Sequence, residues 1–302
     1  MFGLFQNPET KARNMLREGN YGDAFKLLQQ LAVKGKPRAM SALGMLYANG
    51  QGVARDFKIA HKWFKRAADI GLQEAQIFLG KMYKNGDGVE IDLEEARYWF
   101  ELAASPCDVF SESGSFNHED GSPIAKCHLG NMYALGVGVE KDEIRGFKLF
   151  EEAANAGEEM GQFSLGYSYD KGLAVEKDAV KAAKWYKLAA LQGHLVAQNN
   201  LGLLYWEGSG VPQDRVLAHM WFNLAAAQGQ KNAIATVDPT VCPLCGAPNQ
   251  CAMEVAKTTG KPLERCWCVD AVFTPELLES LPEEAKGKAC VCAQCAANTS
   301  LG

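Results

Sequence analysis

Histidine is scarce in this chain, five in 302 residues, and none follows His219. Cysteine is almost absent from the first 232 residues, where only Cys107 and Cys127 occur. No apolar run reaches the roughly 18 residues that a membrane-spanning helix needs. The N-terminal stretch MFGLFQNPETKARNML has neither a basic n-region nor an apolar h-region, which excludes a secretory signal of the usual form. No long basic run interrupts a formal net charge of −5, so neither nucleic acid nor an anionic membrane is an expected partner. A nucleophile elbow, a phosphate-cradling glycine loop and a paired catalytic motif are all missing, and no residue is assigned catalysis. The expected compartment is the cytoplasm, where clustered thiols bind metal or do redox chemistry more readily than they form disulfides.

What remains is an ordinary globular composition, 47% apolar and 22% charged, which argues against extensive disorder. Its length suits one or two domains, or a repeat array with an appendage. The second of these is what the sequence spells out. Copies of one frame begin at Ala39, Ala75, Ala125, Gly161 and Ala197. Leu-Gly recurs at Leu43-Gly44, Leu79-Gly80, Leu129-Gly130, Leu165-Gly166 and Leu201-Gly202. A tyrosine follows at Tyr47, Tyr83, Tyr133, Tyr169 and Tyr205, then an aspartate at Asp56, Asp92, Asp142, Asp178 and Asp214. An aromatic pair comes next, Trp63-Phe64, Trp99-Phe100, Trp185-Tyr186 and Trp221-Phe222, relaxed to Leu149-Phe150 in one copy, and Ala-Ala closes each unit.

Each landmark has a physical task. Small residues at fixed helical sites let helices approach, and the aromatics fill the space between units. A Gly-x-Gly turn supplies positions that accept positive φ, at Gly50/Gly52, Gly86/Gly88, Gly136/Gly138 and Gly208/Gly210, with Ala174 in the second place of the remaining copy. The aspartate suits an N-cap, and Asp92 with Glu95 has capping-box spacing. Two helices per unit that bury their apolar faces only by stacking predict an all-α, elongated and curved αα-hairpin solenoid. Residues 1–38 are expected to form a degenerate helical cap, with Ala24, Leu27, Leu28, Leu31 and Ala32 on one face and Gly35 ending a helix. The predicted units are 39–74, 75–124, 125–160, 161–196 and 197–232.

The frame A-x3-L-G-x2-Y-x2-G-x-G-V-x2-D-x3-A-x2-W-[FY]-x2-A-A-x2-G resembles the Sel1-like repeat, a relative of the tetratricopeptide repeat. What this implies is a helical scaffold for contacts with a protein or an extended peptide. The extra residues of the second copy lie in Ser105–Ile124, read as a surface loop. Its Cys107, Asp108, His118, Glu119 and Asp120 are read as solvated polar residues rather than cation ligands. His61 and His219 share one repeat offset, which suggests a place on a helix surface.

At about 100° per residue, the landmarks at offsets 0, 4, 7, 8 and 11 cluster on one side of the first helix. Offsets 2, 6 and 9 then face solvent: Ser41/Met45/Ala48, Ile77/Lys81/Lys84, Cys127/Asn131/Ala134, Phe163/Tyr167/Asp170 and Asn199/Leu203/Trp206. Large apolar groups collect in the last two units, so Phe163, Tyr167, Leu203 and Trp206 form the predicted partner-binding patch. The competing readings are that the C-terminal tail of the same chain covers this patch, or that the superhelix buries it against an adjacent helix.

Residues 233–302 break with this pattern and carry Cys242, Cys245, Cys251, Cys266, Cys268, Cys290, Cys292 and Cys295. C-x2-C knuckles bring two soft thiolates to one ion from a tight turn, which is what tetrahedral zinc requires. Eight cysteines and no histidine predict two all-cysteine zinc sites; one zinc with spare thiols, redox-active thiols and disulfides are the alternatives. Basic residues in this segment are outnumbered by acidic ones, which argues against nucleic acid. The stretch CPLCGAPNQCAM…CWC…LPEEAKGKACVCAQC is similar to the small bacterial cysteine-rich family named for its Cys-Trp-Cys motif, here Cys266-Trp267-Cys268. That resemblance implies metal binding and a bacterial source, and adds no catalytic residue. The expected function is a non-enzymatic adaptor with a zinc-stabilised C-terminal module. A thiol-redox or metal-handling protein that uses the cysteine segment is the alternative.

Overall fold

A computed structural model describes residues 7–106 and 120–227, and all twelve elements found there are α-helices. The chain divides into two compact units, Met1–Ala156 and Gly157–Gly302. The first holds α1 (Pro8–Arg17), α2 (Tyr21–Val33), α3 (Pro37–Asn49), α4 (Phe57–Asp69), α5 (Gln73–Asn85), α6 (Leu93–Ala104), α7 (Pro123–Leu135) and α8 (Glu143–Asn155). The second holds α9 (Glu159–Lys171), α10 (Ala179–Leu191), α11 (Leu195–Glu207) and α12 (Arg215–Ala227). From α3 onward each repeat is one antiparallel pair, with Leu-Gly on its first helix and the aromatic pair on its second.

The Leu-Gly glycine exists to admit a ring. A Cβ built on Gly80 would lie 2.6 Å from Phe100, and one on Gly130 2.5 Å from Phe150. Gly44, Gly166 and Gly202 stand in the same relation to Phe64, Tyr186 and Phe222. The second residue of the aromatic pair therefore plugs into its own hairpin partner, where Leu43, Leu79, Leu129, Leu165 and Leu201 are buried beside it. In the first unit one core runs through Leu28, Leu43, Phe64 and Leu79, and another through Phe100, Ala125, Leu129 and Met132. In the second unit Tyr186, Leu201, Trp221 and Leu224 share a core.

The turn between the helices is held the same way each time. All five aspartates cap the second helix, as where Ile59 N–H donates to Asp56 Oδ1 at 2.9 Å and Leu217 N–H to Asp214 Oδ1 at 2.9 Å. The capping box at Asp92 and Glu95 is only half made. Asp92 Oδ1 accepts from Glu95 N–H at 3.0 Å, but the Asp92 N–H donates to the Tyr83 carbonyl at 2.9 Å. Aspartates 56, 142, 178 and 214 donate likewise to the carbonyls of tyrosines 47, 133, 169 and 205. The second turn glycine meets backbone as well: a Cβ on Gly88 would fall 2.5 Å from the carbonyl carbon of Phe57. Ala174 occupies that place at φ 60°, the one non-glycine with positive φ among the described residues.

Residues 1–38 supply α1 and α2, with Ala24, Leu28, Leu31 and Ala32 buried, Leu27 half-buried and Gly35 at φ 81° after the helix. The insertion does not disturb the frame. Ser122 N–H donates to Ala103 O at 2.8 Å, as Leu72 donates to Ala67 O and His194 to Ala189 O. Its end is corrected: Pro123 and Ile124 belong to α7, because proline at the first helical position starts the helix there. Cys107, Asp108, His118 and Glu119 lie outside the described residues, and Asp120 is exposed.

Two solvent assignments are also corrected. Ser41, Ile77 and Cys127 are buried rather than exposed. Offset 2 looks toward the neighbouring hairpin; Ile77 joins the cluster of Phe100, Ala125 and Leu129. Face assignment from one helix alone misses that second neighbour. His219 is 1% exposed instead of lying on a helix surface, while His61 is half-buried with Nε2 3.2 Å from the Tyr83 hydroxyl.

Candidate functional site

Of the fifteen positions expected to face solvent on the first helices, only Tyr167 is open, at 40% exposure. Its place one turn after Phe163 on α9 puts the two rings 6.2 Å apart. Phe163 is half-buried and packs against the core of its unit, with its ring 5.9 Å from that of Tyr186. On its other side it stacks on His194, centroids 4.3 Å apart and planes 18° from parallel.

His194 was not singled out by sequence reasoning, and it is what ties the two helices that carry the patch. It caps α11, its Nδ1 accepting from the Ala197 N–H at 3.1 Å. An accepting Nδ1 places the ring proton of the neutral imidazole on Nε2. Burial lowers the pKa of the ring and so keeps it neutral. The signal available beforehand was modest: a histidine at the residue where Leu72 and Ser122 begin other helices.

The polar border of Tyr167 comes from α9 itself. Lys171 lies 5.9 Å over the Tyr167 ring and pairs with Asp170 at 2.8 Å. Asp170 also accepts from the Tyr186 hydroxyl at 3.5 Å. On α11, Leu203 and Trp206 are both half-buried. Trp206 is pinned at the end of its helix by Arg215, 5.2 Å from its ring, while its carbonyl accepts from Gln213 Nε2 at 2.8 Å. Phe163 and Tyr167 thus form a pair on α9, and Leu203 with Trp206 a second, less open pair on α11.

Five successive copies of one hairpin, each with its glycine seated under its aromatic, point to one repeat family. The Sel1 repeat model matches residues 37–72, 73–105, 123–158, 160–194 and 195–230, more than half of the chain. The chain belongs to the Sel1 repeat family. It is similar to a Sel1 repeat protein from Oxalobacter formigenes, at 33% identity and a TM-score of 0.67, over 76% of this chain and 88% of that one. It is also similar to c5321, a protective antigen of uropathogenic Escherichia coli strains, at 30% identity and a TM-score of 0.59. That match covers 75% of this chain and 47% of the antigen. No curated protein matches the chain.

Beyond the Sel1 repeats, residues 242–297 match the cysteine-rich CWC model. All eight candidate metal-ligating cysteines, Cys242 to Cys295, fall in that span and outside the described residues. Among the described residues no group of three or more His, Cys, Asp or Glu side chains could hold a metal ion. None of the described helices is long and apolar enough to cross a membrane.

Proposed function

We propose that this Sel1 repeat protein is a non-enzymatic scaffold that binds a protein or an extended peptide through the face carrying Phe163, Tyr167, Leu203 and Trp206. The observation that carries this reading is Tyr167. It is a large aromatic left open at an offset where other copies have Met45, Lys81, Asn131 and Leu203. Its ring is rigidly backed by Phe163, and Phe163 by His194. A pre-ordered aromatic with a polar border of Asp170 and Lys171 is the kind of anchor that dominates binding energy, because little conformational entropy is lost when a partner covers it. The test is to compare capture and affinity of a partner by the full chain and by a Tyr167→Ala, Trp206→Ala variant. Unchanged affinity in a variant that keeps its helicity overturns the reading.

The cysteine-rich segment is assigned a structural metal site by the chemistry of its donors. Eight thiols and no histidine between residues 233 and 302 suit zinc, with Cys242, Cys245, Cys251, Cys266, Cys268, Cys290, Cys292 and Cys295 forming two all-cysteine sites. Zinc would supply cross-links to a segment too small to build a large apolar core. Metal content separates this from thiol-redox or metal-handling chemistry: tightly held zinc supports structure, and labile metal or reversible thiol oxidation supports the alternative.

A further inference from the structure

The first hairpin departs from the others at one pair of positions. Between α4 and α5 the ring of Phe64 stacks on that of Phe78, centroids 4.8 Å apart. Between α6 and α7, Phe100 stacks on His128 in the same way at 4.7 Å. One repeat earlier, Leu28 of α2 and Ala42 of α3 hold the places of Phe64 and Phe78. Ser164 and Asn200 also lack the second ring, but Phe150 and Tyr186 keep the first. Among the described hairpins, the junction of α2 with α3 alone carries neither ring.

A cavity of about 160 Å³ lies there, lined by both Leu28 and Ala42. An apolar cavity of about 150 Å³ takes up benzene, so this one has room for a single six-membered ring and little else. Four charged side chains stand around it: Glu9 and Arg13 of α1, Arg38 of α3, and Glu74 in the first turn of α5. Three of the four have a charged neighbour. Glu9 pairs with Lys36 at 3.7 Å. Burial pushes the Glu74 carboxyl up, and the positive charge of Arg38 beside it acts against that rise. Arg13 is exposed and makes no ion pair among the described residues. The charge left over at the edge of the cavity is therefore positive, and a carboxylate is its natural match.

We infer that this cavity binds a small aromatic carboxylate, with its ring against Leu28 and Ala42 where the next copy has Phe78, and its carboxylate on Arg13. The site lies wholly within the first unit and does not rest on the Tyr167 face. The probe is phenylpropanoate, titrated into the full chain and followed by ligand-observed NMR. Saturable binding is expected, weakened about tenfold by Arg13→Gln, as loss of one charged hydrogen-bonding partner predicts. The uncharged phenylpropanamide should bind the parent and the Arg13→Gln chain alike. Ala42→Phe supplies the ring that α5 carries and should abolish binding, with helicity of the repeats unchanged. Arg13 is exposed, so its variant keeps the test decisive should Ala42→Phe fail to fold. No saturable binding, or an affinity that either substitution leaves unchanged in a folded chain, overturns the inference. Binding that appears only once residues 1–6 are removed also overturns it, because the chain itself then fills the site. So does binding of the peptide acetyl-Gly-Gly-Phe without binding of phenylpropanoate, which makes the occupant a peptide end.

Discussion

Gly80 faces the ring of Phe100 so closely that a Cβ would stand 2.6 Å from it, and the same relationship recurs between Gly130 and Phe150. The ring is buried and cannot retreat without losing its own packing. Gly80→Ala is expected to destabilise the first unit by about 2 kcal/mol, the usual cost of overpacking a filled core. Gly71 is the contrast, with φ 93° and nothing within 4 Å of its Cβ position. Gly71→Ala pays only for backbone conformation, about 1 kcal/mol. Urea unfolding of the two variants measures the difference.

Ala174 sits at φ 60°, where an L-residue with a Cβ is strained and glycine is not. Ala174→Gly is therefore expected to raise stability by roughly 0.5–1 kcal/mol, against the ordinary rule that glycine weakens a chain. Gly210→Ala should do the reverse and cost more, because its Cβ would fall 2.2 Å from the Ala179 carbonyl carbon. Thermal melts of both variants decide the point.

Burial holds the imidazole of His219 down to about 4. His128 is also held down to about 4, by burial first and then by the charges of Lys81 and Lys84. For a group whose folded pKa is depressed, the unfolded chain takes up the proton first, so stability falls with pH. Their contribution is complete above about 6.5, the unfolded value, and is lost as pH drops toward 4. For His219 the loss amounts to about 3 kcal/mol. Unfolding midpoints between pH 7 and pH 4.5 should decline less steeply for His219→Leu than for the parent chain.

Loss of an anchoring aromatic typically weakens an interface by about 2 kcal/mol, or roughly thirtyfold in Kd. Tyr167→Ala is expected to do this by itself, and Trp206→Ala to do less, because Arg215 and its own helix already occupy part of that ring. Titration of the partner against each single variant checks the order. His194→Ala should also weaken binding without touching the partner, by freeing Phe163 behind Tyr167.

Metal analysis of the full chain is expected to give about two zinc ions per chain, from eight thiolates at four per ion. A chelator should expose the eight cysteines to thiol reagents while the repeat helices keep their far-ultraviolet signal, because no group in the described repeats could hold a metal. Loss of repeat helicity with the metal would count against a role confined to residues 242–297.

The repeat, its helical class and its capping aspartates could be read along the chain without a fold. These are local or periodic features: a Leu-Gly pair, a turn glycine or an N-cap has the same meaning in every copy. The cysteine-rich CWC match over residues 242–297 was equally legible, because that pattern is one of spacing along the chain. Which helix faces stay open depended on the packing of one hairpin on the next. Ser41, Ile77 and Cys127 looked outward by helical phase and are buried, since α3, α5 and α7 each pack against the preceding helix as well as their own partner. His194 joined the patch through a ring stack across 31 residues, a contact no local pattern encodes. Tyr167 is 40% exposed while Leu203 at the same offset is half-buried, a difference that helical phase, identical in both copies, does not encode.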